Sequence, residues 1–179
     1  PTDRYPGLFP VGRLDQDTTG VLLFMTDGEL AARLLHPSTH VDKTYHARVA
    51  GRLSPFDVKR LCEGVELDDG MTAPAEVRTL SDFEGRDVCD PSMHAGDDLV
   101  EVVLHEGRKR QVKRMLSYVG HPVFRLNRVS FGPITAAGLP VGKWRLLNAA
   151  EVEALRKATE TGRYTGTRPG VDPRSLKKS

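Results

Sequence analysis

The sequence predicts an α+β domain, in which short strands and short helices surround one core. Two observations predict this class. Apolar residues make up 39% and charged residues 28% of the 179 residues, which is enough apolar material for one globular domain. Segments with the strand period of two are mixed with segments of helical period, without the regular strand–helix–strand alternation of a parallel fold.

Six segments predict strands, because each is a short apolar run or alternates between apolar and polar residues. They are residues 20–25, 43–50, 75–80, 98–105, 122–126 and 129–134. In the second of them, Tyr45, Ala47 and Val49 share one face. Between the third and the fourth strand, the polar and acidic stretch 81–98 predicts a long loop that is either functional or mobile.

Four segments predict helices, each with a start or an end signal. They begin after Asp27, at Ser54, at about Arg108 and after Asn148, and the first three end at Pro37, Gly64 and Gly120. Ser, Asp and Asn accept hydrogen bonds from the N–H groups of a first turn, whereas Gly and Pro end helices. The third helix, over 108–119, has apolar residues three and four apart and crowds its basic residues into its first half.

The organisation of the chain predicts one domain over residues 1–161 and a basic tail over 162–179, which has few apolar anchors and is expected to be disordered. No apolar stretch approaches the ~18 residues of a membrane span, and no secretion signal is visible. We therefore expect a cytoplasmic protein, and a monomer by default. Cys62 and Cys89 are too few for a disulfide framework or a zinc site, and no metal is expected.

Charge is spread unevenly, although the net charge is only +2. Residues 64–101 contain 11 acidic and 2 basic residues, a net charge of −9. Residues 105–128 contain 7 basic residues and 1 acidic residue, a net of +6, and residues 163–179 contain 5 and 1, a net of +4. This asymmetry indicates a surface that meets a polyanion such as a nucleic acid, while the alternative is a set of solvated faces.

The most informative segment is 12–23, Gly-Arg-Leu-Asp-Gln-Asp-Thr-Thr-Gly-Val-Leu-Leu. It places two carboxylates, Asp15 and Asp17, in a turn before a predicted buried strand. A turn at the edge of a core can hold a carboxylate in a partly desolvated cleft, where it can act as a nucleophile or a base. The alternative is a loop whose Asp and Thr side chains hold only their own backbone N–H groups.

This segment resembles the signature of the RsuA/RluB-like family of ribosomal RNA pseudouridine synthases. Further matching segments follow in the family's order, and together they cover about residues 9–150. They are Thr26-Asp27-Gly28-Glu29-Leu30, His36-Pro37, Lys43-Thr44-Tyr45 and the stretch 107–115. The resemblance implies a mixed, largely antiparallel sheet with flanking helices and a central active-site cleft.

The resemblance also implies roles, in an isomerisation of a uridine in ribosomal RNA to pseudouridine that needs no cofactor. Asp15 becomes the catalytic carboxylate that acts on a flipped-out base, Tyr45 the aromatic residue beside that base, and Lys113 the cation that pairs with Asp15. The expected pocket or support residues are Arg13, Leu14, Asp17 and Val112. The expected contacts to RNA phosphates are Arg108, Lys109, Arg110, Arg114, Arg125 and Arg128. Without the resemblance, Tyr45 is more simply a core aromatic residue and Lys113 a solvated helix cation.

The sequence departs from the family pattern at its start. Family members usually carry a small N-terminal RNA-binding domain and a short strand with Lys-Pro before the aspartate motif, and neither precedes the motif here. The chain also starts without Met, so we expect a fragment or a processed form, in which the missing strand leaves the sheet with an open edge or reduces its stability.

Two other functions stay open at this point. One is a non-catalytic module that binds or assembles ribosomal RNA on the same fold. The other is a hydrolase that uses Asp15 and Asp17 as an acid and base pair. The isomerase is favoured, because a binding module would not need Asp15, Tyr45 and Lys113 together, and because a hydrolase leaves the basic helix unexplained.

Overall fold

A mixed, mostly antiparallel sheet of six strands forms the centre of the computed structural model, which describes residues 3–89, 94 and 96–160. The strands are β1 (Phe9–Pro10), β2 (Thr18–Gly20), β3 (Phe24–Met25), β4 (Lys43–Val49), β5 (Glu66–Leu67), β6 (Gly70–Met71), β7 (Glu76–Thr79), β8 (Asp98–Leu104), β9 (Val123–Phe131) and β10 (Ile134–Thr135). The helices are α1 (Gly28–Leu35), α2 (Pro55–Glu63), α3 (Gln111–Tyr118) and α4 (Ala149–Glu160), with a 3-10 turn over Pro37–Thr39. The predicted α+β class and the mixed, largely antiparallel sheet are confirmed.

The order of strands in the main sheet places β4 at its centre. Neighbours along the path β10-β9-β4-β8-β7 are antiparallel, and β2 pairs with β9 in parallel. Two small antiparallel pairs, β1 with β3 and β5 with β6, lie outside this sheet. The parallel pairing attaches β2, which begins three residues after Asp15, to β9.

Two groups of buried apolar side chains stabilise the sheet. The first group covers the face that carries Ala47 of β4 and Val100 of β8, and it includes Leu61 of α2 and Leu116 of α3. The second group surrounds Phe131, which is fully buried, and joins the segment 11–23 to α1 and α4. The turn that carries Asp15 therefore leads into the second group, while α3 belongs to the first.

The predicted strand over 20–25 is interrupted in the structure. Gly20 has φ +109°, and a Cβ at this position would lie 2.2 Å from the carbonyl oxygen of Arg128. Only glycine allows β2 to approach β9 this closely in that conformation. The chain then leaves β9, and β3 pairs with β1 instead. Conversely, the two strands predicted over 122–126 and 129–134 are mostly one strand, because β9 stays paired with β4 through Asn127 and Arg128.

The helix signals are confirmed for α1, α2 and α4. The side chain of Asp27 accepts from the N–H of Leu30 at 2.9 Å, Ser54 forms a capping box, and Asn148 and Glu151 cap α4 reciprocally. Helix α3 begins at Gln111, three residues later than predicted, since Arg110 adopts a left-handed conformation with φ 52°. The small hairpin of β5 and β6 is not predicted by the sequence.

The described part of the predicted loop 81–98 is residues 81–89, 94 and 96–98. Residues 81–89 have no strand or helix, as predicted, but they pack on the sheet, and β8 begins at Asp98. Val88 is buried, and a Cβ on Gly85 would lie 2.9 Å from Leu99 of β8. Within the described ranges, no helix is long and apolar enough to cross a membrane. The predicted tail over 162–179 lies outside the described residues.

Candidate active site

The two carboxylates of the motif lie in one tight turn. The N–H of Thr18 donates to the carbonyl oxygen of Asp15 at 2.9 Å, which closes a four-residue turn with Asp15 at its first position. Asp15 is half-buried, whereas the side chain of Asp17 is 67% exposed. The turn leads directly into β2, so the backbone after Asp15 is fixed by the sheet.

Lys113 binds this turn from helix α3. Its ammonium lies 2.5 Å from Oδ2 of Asp17, and the residue is only 8% exposed. The hydrogen bond from Lys113 lowers the pKa of Asp17, and the charge of Arg110 acts in the same direction. The predicted pairing of Lys113 with Asp15 is therefore corrected, because Asp17 is the residue of the turn that meets the basic start of α3. Among the described residues, Asp15 forms no ion pair.

Buried contacts fix the start of α3 and hence Lys113. Val112, Met115 and Leu116 are buried in the first apolar group. The side chain of Gln111 donates to Glu106 at 2.6 Å, and the same Glu106 oxygen accepts from the N–H of Ala73 at 3.0 Å. These contacts fix the start of helix α3, and they therefore fix the position of Lys113.

Tyr45 faces the same side of the sheet as α3. It is half-buried and packs against the apolar group that contains Val112. Its partner across β9 is Arg128. The structure thus brings Tyr45, Val112 and Lys113 to one face, and the Asp15 turn reaches that face through Asp17.

Sequence reasoning missed that two cations near this face, Lys43 and Arg128, are buried. Lys43, two residues before Tyr45, lies 5.1 Å from the centre of the Phe131 ring and donates to the carbonyl oxygen of Val41 at 3.1 Å. Burial lowers the pKa of Lys43, and the nearby charge of Arg128 lowers it further, to about 8. The guanidinium of Arg128 lies 5.4 Å from the same ring. A period-two strand pattern shows which face Lys43 occupies, but not that this face is buried at that position.

The six residues predicted to contact RNA phosphates are not equivalent. The guanidinium of Arg108 donates to carbonyl oxygens of the β5–β6 turn, and Arg114 binds Asp68 and Asp69 at 2.6 and 2.8 Å. Arg128 is 3% exposed, which removes it from the surface that a phosphate could reach. Lys109, Arg110 and Arg125 are exposed and keep the predicted position at the surface.

A cavity of about 1890 Å³ lies on the other face of the sheet. It is lined by Thr44, His46 and Asn127, and it reaches Leu14 of the motif, but Asp15, Tyr45 and Lys113 do not line it. The size of this cavity does not by itself identify it as the active site, since none of the three side chains predicted to be catalytic lines it. Within the part of the chain that the structure describes, no cluster of three His, Cys, Asp or Glu side chains could hold a metal ion.

A chain of polar contacts crosses this cavity and ends at β2. Thr19 donates to Asn127 at 3.0 Å, Asn127 donates to Asp87 at 2.5 Å, and Asp87 lies 2.6 Å from Nδ1 of His46. His46 also lies 3.4 Å from Glu101. Burial alone would lower the pKa of His46, but the hydrogen bonds to Asp87 and Glu101 outweigh it and raise the pKa to about 9. The acidic stretch is therefore tied to the strand that follows Asp15.

Residues 1–118 match the family model described as RNA pseudouridylate synthase. The chain belongs to this family. An RNA pseudouridine synthase of Aquifex aeolicus, described as uncharacterized, is 44% identical over 151 residues, which are 84% of this chain and 56% of that protein. The ribosomal large subunit pseudouridine synthase B of Bacillus subtilis is 37% identical over 156 residues, which are 87% of this chain and 60% of that protein.

A solved pseudouridylate synthase has the same fold as this chain. The TM-score is 0.70 at 31% sequence identity, and the match covers 84% of this chain and 62% of that one. The chain thus spans between 56% and 62% of the length of these three proteins. The resemblance that the motifs indicated is confirmed at the level of the family.

Proposed function

We propose that this member of the RNA pseudouridylate synthase family converts a uridine of ribosomal RNA into pseudouridine, with Asp15 as the catalytic carboxylate. The substrate follows from the relatives named for the large ribosomal subunit, so large-subunit RNA is the first substrate to test. The proposed enzyme is a cytoplasmic monomer that needs no cofactor.

One observation carries this proposal: a buried lysine of the basic helix, Lys113, is bound to the turn that carries Asp15. The turn presents one half-buried carboxylate that no described cation neutralises, next to a second that one cation holds in place. The free carboxylate can act on a nucleoside while the paired one fixes the loop. Lys109 and Arg110, which are exposed directly before α3, add attraction for the phosphates of RNA.

The reaction conserves all atoms of the nucleotide. The bond between N1 of uracil and C1′ of ribose breaks, the uracil rotates, and a bond forms between C5 and C1′. The proton of C5 leaves and N1 gains a proton, so no oxidant or reductant is required. The target base has to leave its stack to reach the site. Tyr45 can stack on such a base, an interaction worth about 1–3 kcal/mol.

The ionisation of Asp17 restricts the hydrolase alternative to one arrangement, in which Asp15 is the acid and Asp17 the base. An acid and base pair requires one protonated carboxyl group near neutral pH. The hydrogen bond from Lys113 lowers the pKa of Asp17, which keeps this group ionised and leaves it only the role of the base. The binding-module alternative predicts the same RNA affinity as the enzyme and differs only in turnover.

The experiment is tritium release from C5 of labelled uridine in unmodified large-subunit ribosomal RNA. The parent chain is compared with Asp15→Asn and with Asp82→Asn, an exposed aspartate of the acidic stretch that removes the same charge. Small-subunit RNA provides the second arm. RNA affinity is measured for each protein by filter binding.

We expect release with the parent and Asp82→Asn, and none with Asp15→Asn at unchanged RNA affinity. Full turnover by Asp15→Asn would contradict the assignment of the carboxylate. RNA binding by the parent without release from either RNA would favour the binding module. Release from small-subunit RNA alone would contradict the choice of substrate but not the reaction.

A further inference from the structure

Arg128 contacts both ends of the loop that carries Asp15. Its Nε donates to the carbonyl oxygen of Val21 at 2.8 Å, and its Nη1 donates to the carbonyl oxygen of Arg13 at 3.4 Å. Arg13 lies two residues before Asp15, and Val21 follows β2 directly. The guanidinium of Arg128 therefore connects the residue at the start of the loop, Arg13, with the residue at its end, Val21.

The backbone of Arg128 strengthens this contact. The N–H of Val21 donates to the carbonyl oxygen of Arg128 at 2.8 Å, so Arg128 binds Val21 in both directions. Gly20, just before Val21, has no Cβ and allows the two strands to meet at this point. Any shift of Arg128 is consequently transmitted to the end of the loop.

The surroundings of Arg128 hold the guanidinium in place and keep it from solvent. It is 3% exposed and lies over the Phe131 ring at 5.4 Å. Lys43 lies over the same ring at 5.1 Å, and the two charges repel each other. Among the described residues, Arg128 forms no ion pair, so its charge is stabilised by hydrogen bonds to backbone carbonyls and by the Phe131 ring.

We propose that Arg128 is a positioning residue that ties the two ends of the Asp15 loop together, and that it is not an RNA contact. This inference rests on the proposed function, since it assigns Asp15 the chemistry that the loop positions. Arginine suits the role because its planar fork donates in two directions at once, whereas the ammonium of lysine is a compact point charge. A displacement of about 1 Å at a catalytic group can lower a rate about 100-fold.

The test compares Arg128→Lys with the parent in the tritium-release assay. The variant keeps a positive charge and a long stem, but it cannot hold both carbonyl oxygens in the same geometry. We expect kcat to fall about 10- to 100-fold, with the dissociation constant for RNA and its dependence on salt unchanged. A phosphate contact behaves differently, because losing one weakens RNA binding and reduces the salt dependence.

Leu155→Ala serves as a matched control for destabilisation. Leu155 of α4 is buried in the same apolar group as Phe131, and its truncation leaves the Arg128 hydrogen bonds in place. The assays are run well below the melting temperature of every variant. Leu155→Ala should keep the kcat of the parent, which shows that lost stability alone does not lower turnover.

A second variant covers the case in which Arg128→Lys does not fold. Phe131→Leu keeps the guanidinium but removes the ring beneath it, and we expect a smaller fall of kcat in the same direction with unchanged RNA affinity. Parental kcat in either variant would overturn the inference. Weakened RNA binding with an unchanged kcat would also overturn the inference. That result would indicate that Nη2 of Arg128, which has no hydrogen-bond partner among the described residues, contacts RNA. An inactive parent would instead refute the proposed function.

Discussion

The ammonium of Lys113 lies 2.5 Å from the carboxylate of Asp17, two residues beyond Asp15 in the same turn. The pair joins helix α3, which packs in the first apolar group, to the Asp15 turn, which leads into the second. Among the residues that the structure describes, Asp17 is paired with a cation and Asp15 is not, so the two carboxylates differ in their surroundings. Substitutions at the two aspartates should therefore have unequal effects.

Asp15→Asn should abolish turnover, whereas Asp17→Asn should lower kcat only about tenfold. In Asp17→Asn, Lys113 loses its charged partner and the turn loses its attachment to α3, but the carboxylate proposed to react remains. Steady-state kinetics of both variants on the same RNA measure the difference. Equal losses for the two variants would favour the carboxylate pair of a hydrolase-like mechanism.

Gly20→Ala should destabilise the protein by about 2–4 kcal/mol. The new Cβ would lie 2.2 Å from the Arg128 carbonyl oxygen, at a φ of +109° that alanine rarely adopts. Gly28→Ala is the matched control, because Gly28 is the first residue of α1 and its Cβ would meet no atom within 4 Å. Urea denaturation should show the control unchanged or slightly more stable. Equal stability of both variants would contradict the close approach of β2 and β9.

The sequence predicts those parts of the fold that depend on local signals. The caps at Asp27, Ser54 and Asn148 mark helix starts because a side chain three residues away or fewer decides them. The interruption after Gly20 is not predicted, since it depends on β9, about 100 residues away. A local apolar run cannot distinguish a strand that stays paired from one that changes partner.

The same limit applies to the candidate site. The motif around Asp15 and the residues Tyr45 and Lys113 are found from local pattern and family resemblance, and the structure places the last two on one face. That Lys113 binds Asp17, and that Arg128 is buried, depends on the packing of distant segments. The sequence alone does not distinguish a basic side chain that contacts RNA from one that is buried in the protein.

Lys109→Ala should weaken RNA binding and reduce the slope of log K against log salt by about 0.7–0.9. Lys109 is exposed two residues before the first residue of α3, the helix whose Lys113 binds the turn that carries Asp15. Lys59→Ala removes the same charge from an exposed position on α2, where Lys59 pairs with Glu63 at 3.8 Å. The control should leave the slope unchanged. Binding measured between 50 and 200 mM salt decides the comparison, and equal slopes for both variants would remove Lys109 from the RNA-binding surface.

His46 and Lys43 should give opposite contributions to the pH dependence of stability. The pKa of His46 is raised to about 9 in the folded state, from an ordinary value of 6.5. Its stabilising contribution is complete below pH 6.5 and is lost as the pH rises through 9. The pKa of Lys43 is lowered to about 8, from 10.5, so its burial destabilises the protein below pH 8 and this cost is relieved as the pH rises towards 10.5.

Free energies of unfolding measured in urea between pH 6 and 10.5 separate the two groups. The parent should change little between pH 8 and 9, because the two contributions partly cancel there. His46→Gln should gain stability as the pH rises from 8, and Lys43→Met should lose stability from pH 6.5 to 9, by about 1.4 kcal/mol for each unit of pKa difference removed. If the free energy of unfolding of Lys43→Met did not change with pH, Asp87 and Glu101 would not hold His46 protonated. The contacts that connect the acidic stretch to β2 would then not include a charged histidine.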